Sequence, residues 1–249
     1  MGDNQKFRIL SLDGGGVRGY LTVKILENIE SHLNMKEGND KPLGERFDLI
    51  VGTSTGAIIA GLLAIGKSAK DIRELYENDI PIIFGKKMKR NKISSFIWSK
   101  YRPDALELKA KSYFGDMTFQ DVKTDLIVTA VDISNMKPRF NKSDFTDENN
   151  GRCSEKLANA IIASASAPVY FPVARDLVHS DYLIDGGLVA NNPSMVGIVD
   201  ALKFNRKSKR DIDIPQSLND MLLLSIGTGE QAEVPFDLKP LLNGSGFEW

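Results

Sequence analysis

Residues 47–64, Phe47-Asp48-Leu49-Ile50-Val51-Gly52-Thr53-Ser54-Thr55-Gly56-Ala57-Ile58-Ile59-Ala60-Gly61-Leu62-Leu63-Ala64, read as a buried strand that reverses into a buried helix. Between the two lies Gly52-Thr53-Ser54-Thr55-Gly56, a Gly-x-Ser-x-Gly elbow in the strand–helix context that makes the pentapeptide specific. Such a reversal is sharp enough that only small residues fit beside the serine, hence Gly52 and Gly56. Its strain exposes the Ser54 hydroxyl at the carboxyl end of the strand. There it stands above the helix N-terminus, whose dipole favours a developing alkoxide.

Working outward, apolar runs alternate with helical patterns, the mark of a sheet covered by helices. Residues 7–12 form a first strand, and the glycine turn Asp13–Gly16 leads into a helix over about Val17–Leu33. Val17, Leu21, Ile25 and Ile29 lie at i+4 intervals on one face of that helix, which the pattern assigns to the core. Lys36–Gly44 is a polar loop, and 69–80 and 104–114 read as helices. Further strands are expected at Asp125–Val131, Tyr182–Ile184 and Met221–Ile226, with a small-residue helix over Ser154–Ser164. Asn192 is placed to cap a helix that has Pro193 at its first position. Without repeats or low-complexity linkers, residues 7–229 are read as one domain.

Composition narrows the chemistry. The 249 residues carry 32 Lys+Arg and 33 Asp+Glu, a net charge of -1 that argues against a general nucleic-acid binder. One cysteine, Cys153, excludes an internal disulfide framework and a Cys-rich zinc site. Residues 56–66 are the longest apolar run, about half of what a bilayer-spanning helix needs. No signal core follows the N-terminus, so a cytoplasmic chain is expected.

Gly14-Gly15-Gly16-Val17-Arg18-Gly19 satisfies Gly-x-Gly-x-x-Gly after a strand and before a helix, as a dinucleotide site would. Such a site also expects an acidic residue closing the second strand. Glu37 and Asp40 fall inside the polar loop instead, and the second strand runs into Gly52. The same backbone amides, with the positive end of the following helix, suit a transient oxyanion.

A serine nucleophile needs a base, and there are only two histidines. His32 lies on the first helix and reads as a spectator. His179 is downstream of Ser54, so a triad with Asp132 or another intervening acid is open on paper. A carboxylate could instead act directly. Asp185 is best placed, at a strand end and followed by Gly186 and Gly187.

The chain resembles the patatin-like phospholipase family. The resemblance rests on Asp13-Gly14-Gly15-Gly16-Val17-Arg18-Gly19, Gly52-Thr53-Ser54-Thr55-Gly56 and Asp185-Gly186-Gly187. Tyr113–Asp116, Ser164–Pro168 with Phe171-Pro172, and Ser225–Gly229 support it in family order. It implies a three-layer α/β/α fold with a central, mostly parallel sheet. It further implies a Ser–Asp dyad without histidine that hydrolyses acyl esters of membrane lipids, a carboxylic ester hydrolase of phospholipase A type. Carried over, Ser54 is the nucleophile and Asp185 the base. The amides of Gly14, Gly15 and Gly16 form the oxyanion hole, with Arg18 beside it. No cofactor or metal is implied, and the partner is a phospholipid or other acyl lipid. Family members commonly continue with further helices, whereas residues 230–249 end this sequence. They are read as a tail, belonging either to a truncated fold or to a compact member. Some bacterial relatives are effectors held inactive until triggered, so a regulated effector or lipid-binding protein is the alternative.

One more stretch bears on the substrate. Lys86, Lys87, Lys89 and Arg90 precede Phe96, Ile97, Trp98 and Tyr101. Cations meeting anionic headgroups with aromatics at the interface would make a lid or membrane-docking element. A solvated loop with inward-packed aromatics, or a nuclear-localisation tract, is the other reading. Arg206–Arg210 is a second basic cluster, read as an exposed loop.

Overall fold

A computed structural model describes residues 6–85, 103–143, 154–168, 170–176, 179–203 and 215–230. The basic and aromatic stretch from Lys86 to Tyr101, Cys153, the Arg206–Arg210 cluster and the tail after Glu230 lie outside the described residues.

The element order is β1 (Phe7–Leu12), α1 (Gly19–Glu37), β2 (Leu49–Gly52), α2 (Thr55–Ala64), α3 (Ala69–Gly85), α4 (Pro103–Phe114), β3 (Asp125–Asp132) and β4 (Lys137–Lys142). It continues with α5 (Leu157–Ala165), β5 (Ala174–Arg175), β6 (Tyr182–Asp185), α6 (Gly187–Ala190), α7 (Ser194–Ala201) and β7 (Met221–Ile226). Strands β7, β1, β2 and β3 are parallel neighbours in that order, the parallel core of the sheet. Strands β4, β6 and β5 add antiparallel pairings on the β3 side.

Alternation of side chains across the parallel strands builds two apolar layers. Leu10, Leu12 and Ile50 face the larger core, with Val23 and Leu26 of α1, Ile59 and Leu62 of α2, Phe114 of α4 and Ile161 of α5. Phe7, Ile9, Leu49 and Val51 face the other side, where Val196, Ile198 and Ala201 of α7 pack. The result is the expected three-layer α/β/α arrangement. No helix among the described residues is long and apolar enough to cross a membrane.

The pairing registers bring the site together. Strand β3 has β4 along one edge from Ile127 to Asp132. On the opposite edge, β2 occupies positions up to Val128, paired with Gly52, and β6 occupies Ala130 to Asp132. Since β6 runs antiparallel, its last residue, Asp185, pairs with Ala130. The two strand ends therefore meet along one edge of β3, two positions or ~7 Å apart. The loops that follow them, bearing Ser54 and continuing past Asp185, are forced together.

Three sequence expectations need correction. The buried face of α1 is Gly19, Thr22, Val23, Leu26 and Glu30, whereas Val17 and Leu21 are 50% and 46% exposed. Ile25 and Ile29 only flank the core. The buried stripe includes polar residues whose partners are distant backbone groups, which an apolar count misses. The Thr22 hydroxyl donates to Gly227 O at 3.0 Å, and the Glu30 side chain accepts from Leu43 N at 2.6 Å and Ala69 N at 2.8 Å. Helix α3 runs through Pro81 to Gly85 rather than stopping at 80. Helix α7 starts at Ser194 with Pro193 as its N-cap residue, although the Asn192 side chain still accepts from Ser194 N at 3.1 Å.

Candidate active site

The elbow is held by backbone contact. Ser54 has φ 55° and ψ -120°, a positive φ that a residue with a side chain adopts only when its surroundings impose it. Gly56 N donates to Thr53 O at 2.8 Å and Ala57 N to Ser54 O at 2.9 Å, closing the turn into α2. A Cβ on Gly52 would lie 2.4 Å from Gly56 O, and one on Gly56 would lie 2.3 Å from Leu12 O. Both obstructions are backbone, so neither glycine can be replaced without shifting the main chain. Ser54 N donates to Ser164 Oγ at 2.9 Å, tying the turn to the end of α5. The Thr53 hydroxyl lies 2.7 Å from Thr129 Oγ1 and donates to Ala190 O at 2.7 Å.

Ser54 Oγ donates to Asp185 Oδ2 at 2.7 Å. The other carboxylate oxygen, Oδ1, accepts from Gly187 N at 2.6 Å, so the α6 turn orients the group. Asp185 is buried, and burial raises its pKa above the ordinary carboxylate value; the Gly187 N–H and the Ser54 hydroxyl oppose the shift. A carboxylate in this setting can take the serine proton and hold it through a short reaction.

The histidine triad is not assembled. His179 Nδ1 lies 2.8 Å from Asp176 Oδ2 and 3.3 Å from Arg139 Nη2, in a cluster beside the β5–β6 hairpin. Asp132 accepts from the backbone of Ser134 and Asn135 and caps the β3–β4 turn. His32 is exposed on α1.

The glycine loop sits directly against Ser54: a Cβ on Gly14 would be 3.4 Å from Ser54 Cβ. Of the three amides expected to bind an oxyanion, Gly14 N already donates to Asn191 O at 3.0 Å. The amides of Gly15 and Gly16 have no acceptor among the described residues. Gly16 has φ +56°, which turns successive N–H groups toward one side. Arg18 is exposed beside the loop, and its N–H closes the turn on Gly15 O at 3.2 Å. Asp13 accepts from Asn192 Nδ2 at 2.9 Å, and Thr228 Oγ1 donates to Gly14 O at 3.2 Å. Burial raises the Asp13 pKa, a shift that the Asn192 hydrogen bond opposes.

Several of these contacts escape a motif reading. Thr53, Ser164, Thr228 and Asn191 hold the elbow and the loop, but only the folded chain places their side chains. The Ser164–Pro168 and Ser225–Gly229 stretches carried a signal, and Asn192 was legible only as a helix cap. Among the described residues, no group of three or more His, Cys, Asp or Glu could hold a metal ion.

The sequence profile of the patatin-like phospholipase family matches residues 10–198, from within β1 into α7. The chain belongs to the patatin-like phospholipase family. It is 36% identical over 231 residues to a cGAMP-activated phospholipase of Escherichia coli (strain TW11681), covering 91% of this chain and 63% of the relative. A cGAMP-activated phospholipase of Vibrio cholerae serotype O1 is 35% identical over 238 residues, covering 90% of this chain and 65% of the relative. A plant member, patatin-like protein 2 of Arabidopsis thaliana, is 29% identical over 265 residues, covering 97% and 64%. The chain thus spans under two thirds of the length of these relatives. Among solved structures, VipD from Legionella pneumophila matches with a TM-score of 0.50 at 15% identity, covering 88% of this chain and 49% of that one. At that identity the match speaks for the patatin-like fold alone.

Proposed function

We propose that this patatin-like chain is a lipid acyl hydrolase of phospholipase A type, with Ser54 as nucleophile and Asp185 as general base. The observation that carries the reading is the 2.7 Å hydrogen bond from Ser54 Oγ to the buried Asp185 carboxylate. Asp185 takes the Ser54 proton as Oγ attacks the ester carbonyl. The N–H groups of Gly15 and Gly16 receive the oxyanion, and such donors are each worth about 100- to 1,000-fold in rate. Collapse breaks the ester C–O bond, and Asp185 protonates the departing lysolipid alkoxide, leaving acyl-Ser54. Water, deprotonated by Asp185, then releases the fatty acid and restores Ser54. In this reading the basic and aromatic stretch with Lys86, Lys87, Lys89, Arg90 and Trp98 supplies peripheral membrane contact.

A regulated form of the same activity is the second reading. It is favoured by the two relatives named cGAMP-activated phospholipases at 36% and 35% identity. The test is fatty-acid release from mixed phosphatidylethanolamine and phosphatidylglycerol vesicles, with and without cyclic GMP–AMP. Release by the wild type and none by Ser54→Ala is expected, and a rate that rises only with the cyclic dinucleotide selects the regulated reading. No release under either condition, or release undiminished in Ser54→Ala, would contradict the proposal.

A further inference from the structure

Asn191 is exposed, and its side-chain carbonyl oxygen accepts no hydrogen bond among the described residues although its neighbours are crowded with them. Its backbone oxygen accepts from Gly14 N at 3.0 Å, and its Nδ2 points to Gly14 O at 3.4 Å. The opposite amide orientation would set two carbonyl oxygens against each other, so Oδ1 is turned away from Gly14 O. No donor among the described residues reaches Oδ1.

That oxygen borders the two glycines that flank the dyad. It is 2.4 Å from the position a Cβ on Gly14 would take, a position itself 3.4 Å from Ser54 Cβ. It is 3.3 Å from the corresponding position on Gly187, which is 3.0 Å from Asp185 Oδ1. Two bare glycines, one against Ser54 and one against Asp185, thus make room for this acceptor. The residue is also firmly placed. It follows the α6 turn, whose Ala190 O accepts from Thr53 Oγ1 at 2.7 Å and whose Gly187 N holds Asp185.

Resting on the proposed function, we infer that Asn191 is a catalytic residue for deacylation: its Oδ1 accepts one hydrogen of the water that attacks acyl-Ser54. In the acyl-enzyme, Ser54 Oγ has lost its hydrogen, so Asp185 Oδ2 loses the donor it has in the free protein. A water with one hydrogen on Asp185 Oδ2 and the other on Asn191 Oδ1 has its orientation fixed and a lone pair left for the acyl carbon. Asp185 takes the first proton as the water oxygen bonds to carbon. The tetrahedral intermediate expels Ser54 Oγ, the proton passes from Asp185 to that oxygen, and the fatty acid leaves with the water's oxygen. Ester cleavage in the first step involves no water, so Asn191 acts chiefly on the second.

The test separates the two steps with a p-nitrophenyl ester in stopped flow. Asn191→Ala should give a burst of p-nitrophenol matching the enzyme concentration, followed by turnover slowed about tenfold or more, as loss of one strong hydrogen bond implies. Intact mass should show the acyl adduct accumulating on the protein, while labelling by a fluorophosphonate stays within about threefold of wild type. Turnover equal to wild type, or labelling slowed as much as turnover with no adduct, would overturn the inference. Should Asn191→Ala not fold, Asn191→Ser is read in the same way. Wild-type protein without Ser54-dependent ester cleavage would instead sink the proposed function itself, and this inference with it.

Discussion

At Asp185 the residue exposes 6% of its surface, and burial raises the carboxyl pKa against the pull of the Gly187 N–H and the Ser54 hydroxyl. A folded-state pKa above the unfolded value means that the folded chain binds the proton more tightly. This group's contribution is therefore most favourable below the ordinary carboxylate value of about 3.9 and is lost as pH rises through the raised folded value. At neutral pH the ionised base is held at a cost to stability. Asp185→Asn, which keeps the shape and can donate to Ser54, is predicted to melt higher than wild type at pH 7 to 8. The difference should shrink as pH falls toward about 4, followed by thermal denaturation across pH. Wild-type kcat/KM should fall on the acid side with a midpoint above about 4. A lower melting temperature for Asp185→Asn at neutral pH would mean that the buried charge is not the strained element. Ser54 was legible in sequence because Gly52 and Gly56 bracket it in a tight turn, and Asp185 because Gly186 and Gly187 follow it at a strand end. Asn191 was not, since its role depends on how the α6 turn swings it back onto Gly14.

Among elements, the β3 edge decides the geometry. Strand β2 stops at Gly52 and leaves the rest of that edge to β6, so the two strand ends face each other. Strands β1, β2 and β3 were readable as apolar runs because burial on both faces favours them, and β7 reads as one too although Leu222 and Leu223 are exposed. Strand β4, Lys137-Pro138-Arg139-Phe140-Asn141-Lys142, was not, since a proline and three cations mimic a loop. Its Arg139 shows why the pattern failed. The side chain is 1% exposed and donates to Asp176 Oδ2 at 2.7 Å, Asp181 Oδ2 at 3.2 Å and Asn141 Oδ1 at 3.0 Å. This anchor fastens β4 to the hairpin that ends in Asp185. Arg139→Leu removes the guanidinium from a fully buried Asp176 and should cost about 3–5 kcal/mol, measured by urea denaturation. A loss below about 1 kcal/mol, the range of an exposed ion pair, would show that the hairpin is fixed by its strand pairing alone.

For the whole molecule, a parallel sheet between two helical layers presents its carboxyl edge as a shared platform, where loops after β1, β2 and β6 converge. The loop after β1 carries the free amides and that after β2 carries Ser54, while β6 ends in Asp185 and the loop beyond it reaches Asn191. The chain spans 63% to 65% of the two cGAMP-activated relatives, yet every one of these loops lies within its described residues. The proposed mechanism needs no histidine: His179 is engaged by Asp176 and Arg139, and the group bonded to Ser54 Oγ is the Asp185 carboxylate. The most direct test of that claim is hydrolysis of a p-nitrophenyl ester by wild type, Asp185→Asn and His179→Ala under the conditions that support activity. The Ser54–Asp185 account predicts that Asp185→Asn loses at least about 100-fold in kcat/KM, as removal of a general base does, while His179→Ala stays within about threefold of wild type. Loss of activity in His179→Ala with Asp185→Asn still active would contradict it.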